Sequence, residues 1–262
     1  MMTKKDFLYL HLKDLPYFRA ILRANEACFY QEIPLPRPIL DVGSGDGHFA
    51  SIAFDDPIDI GIDPSLATMR EAYARSCYRL LLQSDGASIP LENESIGSAI
   101  SNSVLEHIPH LEDVLRDVAR VLKPGAPFVF TVPNPGYRSE LSFPAFLRKM
   151  HLEHLATAYE DYFMWMSRTK NMLYEEGWAD LLGKAGLHVE TTFRYFPPES
   201  LHALEWGHYF GAPTLITRWT TGKWIVAPTH WNLKLTEKRL RRYYSGQPHK
   251  QGTYSFYFVR KR

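Results

Sequence analysis

From Ile39 to Val132 the chain alternates short apolar runs with amphipathic ones. The runs ILDV, IDIGI, SAISNSV and FVFTV have the length and β-branched content of buried strands, and stretches of helical period separate them. This alternation predicts a parallel, doubly wound α/β sheet. The clearest helix is Leu111 to Leu122, with Leu111, Val114, Leu115, Val118, Ala119 and Leu122 on one face and Glu112, Asp113, Arg116, Asp117 and Arg120 on the other. Lys123-Pro124-Gly125 ends it. A second helix, Glu175 to Lys184, stops near Gly186 and feeds the strand LHVETTF, and the alternating run TYSFYFV closes the chain. These two strands are expected at the end of the same sheet. Ahead of the alternation, Thr3 to about Gln31 suits one or two helices, with Pro16 as a start or break, and Pro34, Pro36 and Pro38 follow. Residues 1–35 are therefore read as an N-terminal helical segment and 36–262 as one α/β domain.

Two stretches fall outside the alternation, at about 136–174 and 197–252. Both are rich in aromatics and histidine. Insertions of this size after strands are more often functional lids than plain connections, and parallel sheets bind ligands at the C-terminal ends of their strands. Both are read as helical caps over a site.

Composition changes this picture little. The 262 residues, 45% hydrophobic and 23% charged, suffice for a full core. A net charge of +1 provides no overall field to draw nucleic acid or an anionic membrane, so such a partner would need a local patch, and no DNA partner is expected. Cys28 and Cys77 lack metal or redox spacing. The opening MMTKKDFLYLHLKDL is broken by His11, Lys13 and Asp14, and the apolar window Leu201 to Val226 is interrupted by Glu205, His208, Arg218 and Lys223. Neither reads as a signal or a span, and a soluble, cytoplasmic protein is expected.

Candidate chemistry starts at Ile39-Leu40-Asp41-Val42-Gly43-Ser44-Gly45-Asp46-Gly47, where a buried strand runs into a glycine turn that lets backbone approach a ligand. About twenty residues on, Asp63 ends the strand IDIGID, where a carboxylate can accept from both hydroxyls of a ribose. Asp63 or Ser65 could equally cap the helix Ser65 to Ala74. Then come Asp85-Gly86, the strand ending at Asn102, and Leu105-Glu106-His107-Ile108.

The ordered series ILDVGSGDGHF, IGIDPS, SDGASIPL, AISNSVLEHI and ARVLKPGAPFVF resembles the class I S-adenosylmethionine-dependent methyltransferases, most closely the broad type 11 subgroup. The resemblance runs from Ile39 to Pro133, and WADLLGKAG at Trp178 to Gly186 resembles the family's late helix. It implies S-adenosyl-L-methionine as cofactor and a Rossmann-like, seven-stranded sheet with the last strand antiparallel. By position, it places Asp41, Gly43 and Gly45 at the methionine end of the cofactor, Asp63 at the ribose, Asp85 and Gly86 beside the adenine, and Asn102 facing the methionine portion. Gly97 stands where the family usually has aspartate, and Ser44 where cysteine is frequent. Neither change removes a cofactor contact.

Methyl transfer from a sulfonium needs alignment and exclusion of water, and a base only when the acceptor loses a proton. No catalytic residue is assigned; His107 is read as structural or cofactor-side ahead of a general base. His107 with His110, and His151 with His154 on a shared helix face, lack a defined third ligand, and no metal is predicted. Tyr159, Tyr162, Phe163, Trp165 and Met166 could wall an acceptor pocket or form the lid's own core. The expected acceptor is a small, apolar or aromatic molecule. Lys238, Arg239, Arg241, Arg242 and Lys250 form a basic region that reads as a solvated face or a receiver for an anion, which leaves RNA or protein methylation as a second reading. A cofactor-binding regulator without transferase activity is a third. A nicotinamide-dependent dehydrogenase would share the glycine turn and Asp63 but leaves Asp85-Gly86 and the element from Asn102 to His107 without a role.

Overall fold

Seven strands form a single sheet in the computed structural model, which describes residues 5–262. They are β1 (Ile39–Val42), β2 (Ile58–Asp63), β3 (Tyr78–Gln83), β4 (Ser98–Asn102), β5 (Pro127–Pro133), β6 (Leu187–Tyr195) and β7 (Tyr254–Lys261), in the order β3-β2-β1-β4-β5-β7-β6. Strands β1 to β5 are parallel, and β7 inserts antiparallel between β5 and β6. This is the predicted sheet with its antiparallel last strand. The one strand absent from the sequence reading, β3, lies at the sheet edge, where Arg79 and Leu80 are exposed and the apolar signal is weaker.

The side-chain period of two sorts each strand's residues between two core layers. Leu40, Ala99, Phe128 and Phe130 enter one layer with Val118, Trp178 and Tyr257; Ile39, Ile100, Val129 and Phe256 enter the other with Phe7, Ile21 and Phe163. Burial on both faces is what parallel strands require, and it explains why ILDV and FVFTV read as continuous apolar runs. Each fully buried Phe contributes about 1.5–3 kcal/mol of transfer free energy.

Helices α1 (Phe7–Leu12) and α2 (Tyr17–Tyr30) form the N-terminal segment, divided at Pro16. The start of the predicted helical stretch, Thr3 and Lys4, lies outside the described residues. Phe7, Leu8, Ile21 and Ala24 are buried in the layer that covers Ile100 and Val129. Further along are α3 (His48–Ala53) and α4 (Leu66–Arg75), the latter capped by the Ser65 hydroxyl, which accepts from Thr68 N. The predicted Leu111 helix is α5 (Leu111–Val121), with the expected apolar face inward.

Both insertions are helical. The first forms α6 (Gly136–Ser139), α7 (Ser142–Lys149) and α8 (Glu153–Met166); α9 (Glu175–Lys184) then leads into β6. The second forms α10 (Pro198–Phe210), α11 (Pro213–Thr221) and α12 (His230–Leu240). Glu205 of α10 ties the two together: its buried carboxylate accepts from Ser142 N at 2.7 Å, Ser142 Oγ at 2.6 Å and Phe143 N at 3.1 Å. An anion at the start of α7 satisfies amides that the helix itself leaves unpaired.

Candidate functional site at the strand ends

The register aligns Asp41 with Gly61 on one side and Ile100 on the other, so β1, β2 and β4 end along one edge. There the glycine turn folds back on β2. Gly43 N and Ser44 N both donate to Ile62 O at 2.9 Å. Gly43 has φ +83°, and a Cβ on it would lie 2.4 Å from Val104 Cγ1, so only glycine fits.

Asp63 holds this turn and the next helix at once. Its Oδ2 accepts from Gly45 N at 3.0 Å, and its Oδ1 accepts from Ser65 N at 2.9 Å and the Thr68 hydroxyl at 3.0 Å. The helix-cap alternative is thus realised through Ser65, with Asp63 bracing the loop before it. A carboxylate offers about four lone-pair sites, so Oδ2 keeps acceptor capacity toward a diol. Asp41 is buried at the base of the turn and accepts from the Tyr78 hydroxyl at 2.6 Å. Burial pushes its pKa up to about 6, opposed by Tyr78 and by the Arg23 charge.

Asp85 is exposed, its Oδ1 accepting from Ala87 N at 3.0 Å, while Gly86 is buried at φ +86° with Val114 beneath it. Asn102 is buried at the end of β4. Its amide donates to Glu26 Oε2 at 2.7 Å, and its carbonyl oxygen accepts from the Thr131 hydroxyl at 3.2 Å.

Glu26 is the residue that sequence reasoning missed. It is fully buried on α2 and, besides Asn102, accepts from the Ser103 hydroxyl and the Tyr195 hydroxyl, each at 2.8 Å. Burial pushes its pKa up and the donors oppose this. Three elements distant in sequence, α2, β4 and β6, are thereby pinned at one point. The available signal was its place among Ala20, Ala24 and Ala27, the inward face of α2.

A cavity of about 210 Å³ opens beside Ser103. One face of α2 supplies Phe18, Arg19, Leu22 and Arg23; the β4 end supplies Glu106 and His107; the caps supply Tyr137, Ser167, Thr169, Leu204 and His208. Arg19 and Arg23 make no salt bridge among the described residues, and burial lowers the Arg19 pKa to about 10. Glu106 is 4% exposed, and its Oε2 has no hydrogen-bond partner among the described residues. Burial pushes its pKa up to about 8. Its backbone is held firmly, since Lys170 N and Asn171 N donate to Glu106 O at 2.7 and 2.9 Å, and the Asn171 amide donates to Leu105 O and Ile108 O. His107 donates from Nδ1 to Arg168 O at 3.0 Å, so its ring braces the same loop.

One expectation is corrected, and one pair of alternatives is decided. His151 sits in a left-handed turn between α7 and α8 at φ +58° and shares no helix face with His154. The aromatic cluster of the first cap does not line the cavity: Phe163 is lid core, whereas Tyr162 and Trp165 are exposed. The cavity's aromatic wall is Phe18, Tyr137 and Tyr254 instead, brought together by tertiary packing.

Residues 40–130 match the family model described as a methyltransferase domain. An uncharacterized methyltransferase of Mycobacterium bovis is 31% identical over 130 residues, which cover 46% of this chain and 51% of the relative. A probable S-adenosylmethionine-dependent methyltransferase of Mycolicibacterium smegmatis is 26% identical over 156 residues, covering 57% of this chain and 60% of the relative. The chain thus spans about half the length of the curated relatives it matches. Among solved structures, a SAM-dependent methyltransferase of Thermotoga maritima superposes with a TM-score of 0.57 at 17% identity, covering 94% of this chain and 91% of that one. A phosphoethanolamine N-methyltransferase of Haemonchus contortus, solved with S-adenosylhomocysteine, gives 0.54 at 16% identity, covering 91% and 52%. The 40–130 segment thus matches the methyltransferase domain, and the chain as a whole has the fold of the class I methyltransferases.

Proposed function

We propose that the protein is an enzyme that transfers a methyl group from S-adenosylmethionine to a small acceptor held in the Ser103 cavity. The observation that carries this reading is a pair of neighbouring features, the Asp41–Gly45 turn braced by Asp63 and, past Asn102, a cavity walled by both caps, linked by Glu26, which lines the cavity and accepts from the Asn102 amide. The residues present fit the cofactor. Asp63 offers oxygen to a ribose diol, Gly43 and Gly45 remove side chains from the path of the methionine portion, Asp41 places negative charge near an ammonium, and Gly86 with Asp85 borders the adenine edge. Asn102, fixed by Glu26 and Thr131, would border the methionine portion, and Arg23 in the cavity wall would supply positive charge for its carboxylate. The bound cofactor supplies an electrophilic methyl on a sulfonium.

The cavity suits an acceptor with an apolar or aromatic body and one polar nucleophile. Phe18, Leu22, Leu204 and Tyr254 give the walls, and Glu106 Oε2 is an unpartnered oxygen able to take the proton that an O–H or N–H nucleophile sheds. A group with pKa near working pH is suited to that task. A crystal structure with S-adenosylhomocysteine tests the arrangement: the sulfur is expected at the cavity mouth beside Ser103. A sulfur facing solvent, with the cavity closed off from it, refutes the reading.

A further inference from the structure

The second cap leaves an unusual amount of apolar surface in water. Helix α11 buries no residue at all; Leu215, Ile216 and Trp219, one turn apart, stand out from it, with Trp219 88% exposed. On α12, Leu233 and Leu240 point into the protein, and the opposite stripe carries Trp231, Lys234, Leu235 and Lys238 at helical spacing, with Arg242 in the turn just beyond. Trp231 is 87% exposed and Leu235 74%. Lys234, Lys238, Arg239 and Arg242 form no ion pair among the described residues, whereas the nearby Glu237 is engaged by Arg241. Between α10 and α12 runs a groove of about 400 Å³, where Trp206 and Phe210 lie opposite Arg239 and Arg242.

A monomer in water gains nothing from such a stripe, since each exposed Trp or Leu forgoes transfer free energy. The combination of tryptophan, leucine and unpaired lysine or arginine on a short helix is that of an element lying in a membrane interface, with rings at the headgroup level and cations on anionic lipid. A second copy of the chain is a poor occupant, because a two-fold contact would set this basic stripe against itself. We infer that α10 to α12 form a docking surface for an anionic phospholipid bilayer, with the α10–α12 groove receiving a lipid whose phosphate meets Arg239 and Arg242. No described helix is long and apolar enough to cross a membrane, so the contact is peripheral. Helix α10 also contributes Leu204 and His208 to the cavity, so docking brings the cavity's roof to the bilayer surface. The inference rests on this surface alone and holds whatever the acceptor is.

Flotation of the full chain with vesicles tests it, using phosphatidylcholine alone or mixed with phosphatidylglycerol. Binding is expected only to the anionic vesicles, with a blue shift of tryptophan emission and weakening as salt rises. Lys234→Glu with Lys238→Glu should reduce partitioning by at least about tenfold, at roughly fivefold per cation removed. Trp219→Ser with Trp231→Ser should reduce it comparably and diminish the blue shift, both pairs melting like wild type because the sites are exposed. Lack of partitioning to anionic vesicles overturns the inference, as do variants that bind as well as wild type. A dimer by light scattering that Trp219→Ser and Trp231→Ser dissolve, without vesicle binding, or RNA binding in place of vesicle binding, also overturns it.

Discussion

Replacing Glu106 with glutamine keeps the shape of the side chain and deletes its ionisation. Burial holds this carboxyl from its ordinary 4.5 up to about 8 in the folded chain, so between those values the folded state binds a proton that the unfolded state has released. Stability of the wild type must therefore fall as pH rises from about 4.5 to about 8 and level off above. At 1.36 kcal/mol per pH unit the full interval is worth about 5 kcal/mol. Relaxation of the protein around the buried charge lowers this figure, so about 2–4 kcal/mol should survive. The Asp41 carboxyl, raised to about 6, adds a fall of its own, but it is present in both proteins and cancels in their difference. Urea unfolding of wild type and Glu106→Gln between pH 5 and 9 gives the result directly. The two should be within about 1 kcal/mol at pH 5, where both side chains are neutral, with the variant increasingly more stable toward pH 8. A difference that stays flat across this range refutes the assignment of a buried carboxyl with a raised pKa at Glu106.

Two further outcomes follow from the same site. Glu26→Ala strands the Asn102 amide and the hydroxyls of Ser103 and Tyr195, and should cost at least about 3 kcal/mol in chemical unfolding while weakening cofactor binding; an unchanged midpoint would show that the pin is dispensable. Gly43→Ala forces a side chain into Val104 at a positive φ and should lower stability by about 2–4 kcal/mol, with Val104→Ala recovering part of the loss; no recovery would place the strain elsewhere.

The geometry of the glycine turn and Asp63 was legible because its parts are local. Strand, glycine turn and following helix sit within one stretch around Gly43, and the Asp63 spacing is set by one crossover, so a linear reading recovers them. The Leu111 helix declared itself through a single clean apolar face. Glu26 was hidden because its meaning depends on Asn102, Ser103 and Tyr195, residues from 76 to 169 positions away. The Ser103 cavity was hidden for the same reason. It draws on α2, the β4 end, both caps and β7, while Tyr162 and Trp165, from the aromatic cluster most visible in the sequence, face solvent instead. The basic C-terminal region was visible as charge, but its pairing with Trp231 and Leu235 needed the helix exposures.

Whether the strand-end site takes S-adenosylmethionine is measured by isothermal titration of the full chain with S-adenosylmethionine, S-adenosylhomocysteine and NAD, with Asp63→Asn alongside. Binding of the first two is expected, with no heat from NAD and affinity at least about tenfold lower for Asp63→Asn, since hydrogen bonds to a charged acceptor are worth about 1.5–3 kcal/mol. Tight binding of NAD with no response to either sulfur compound would contradict it.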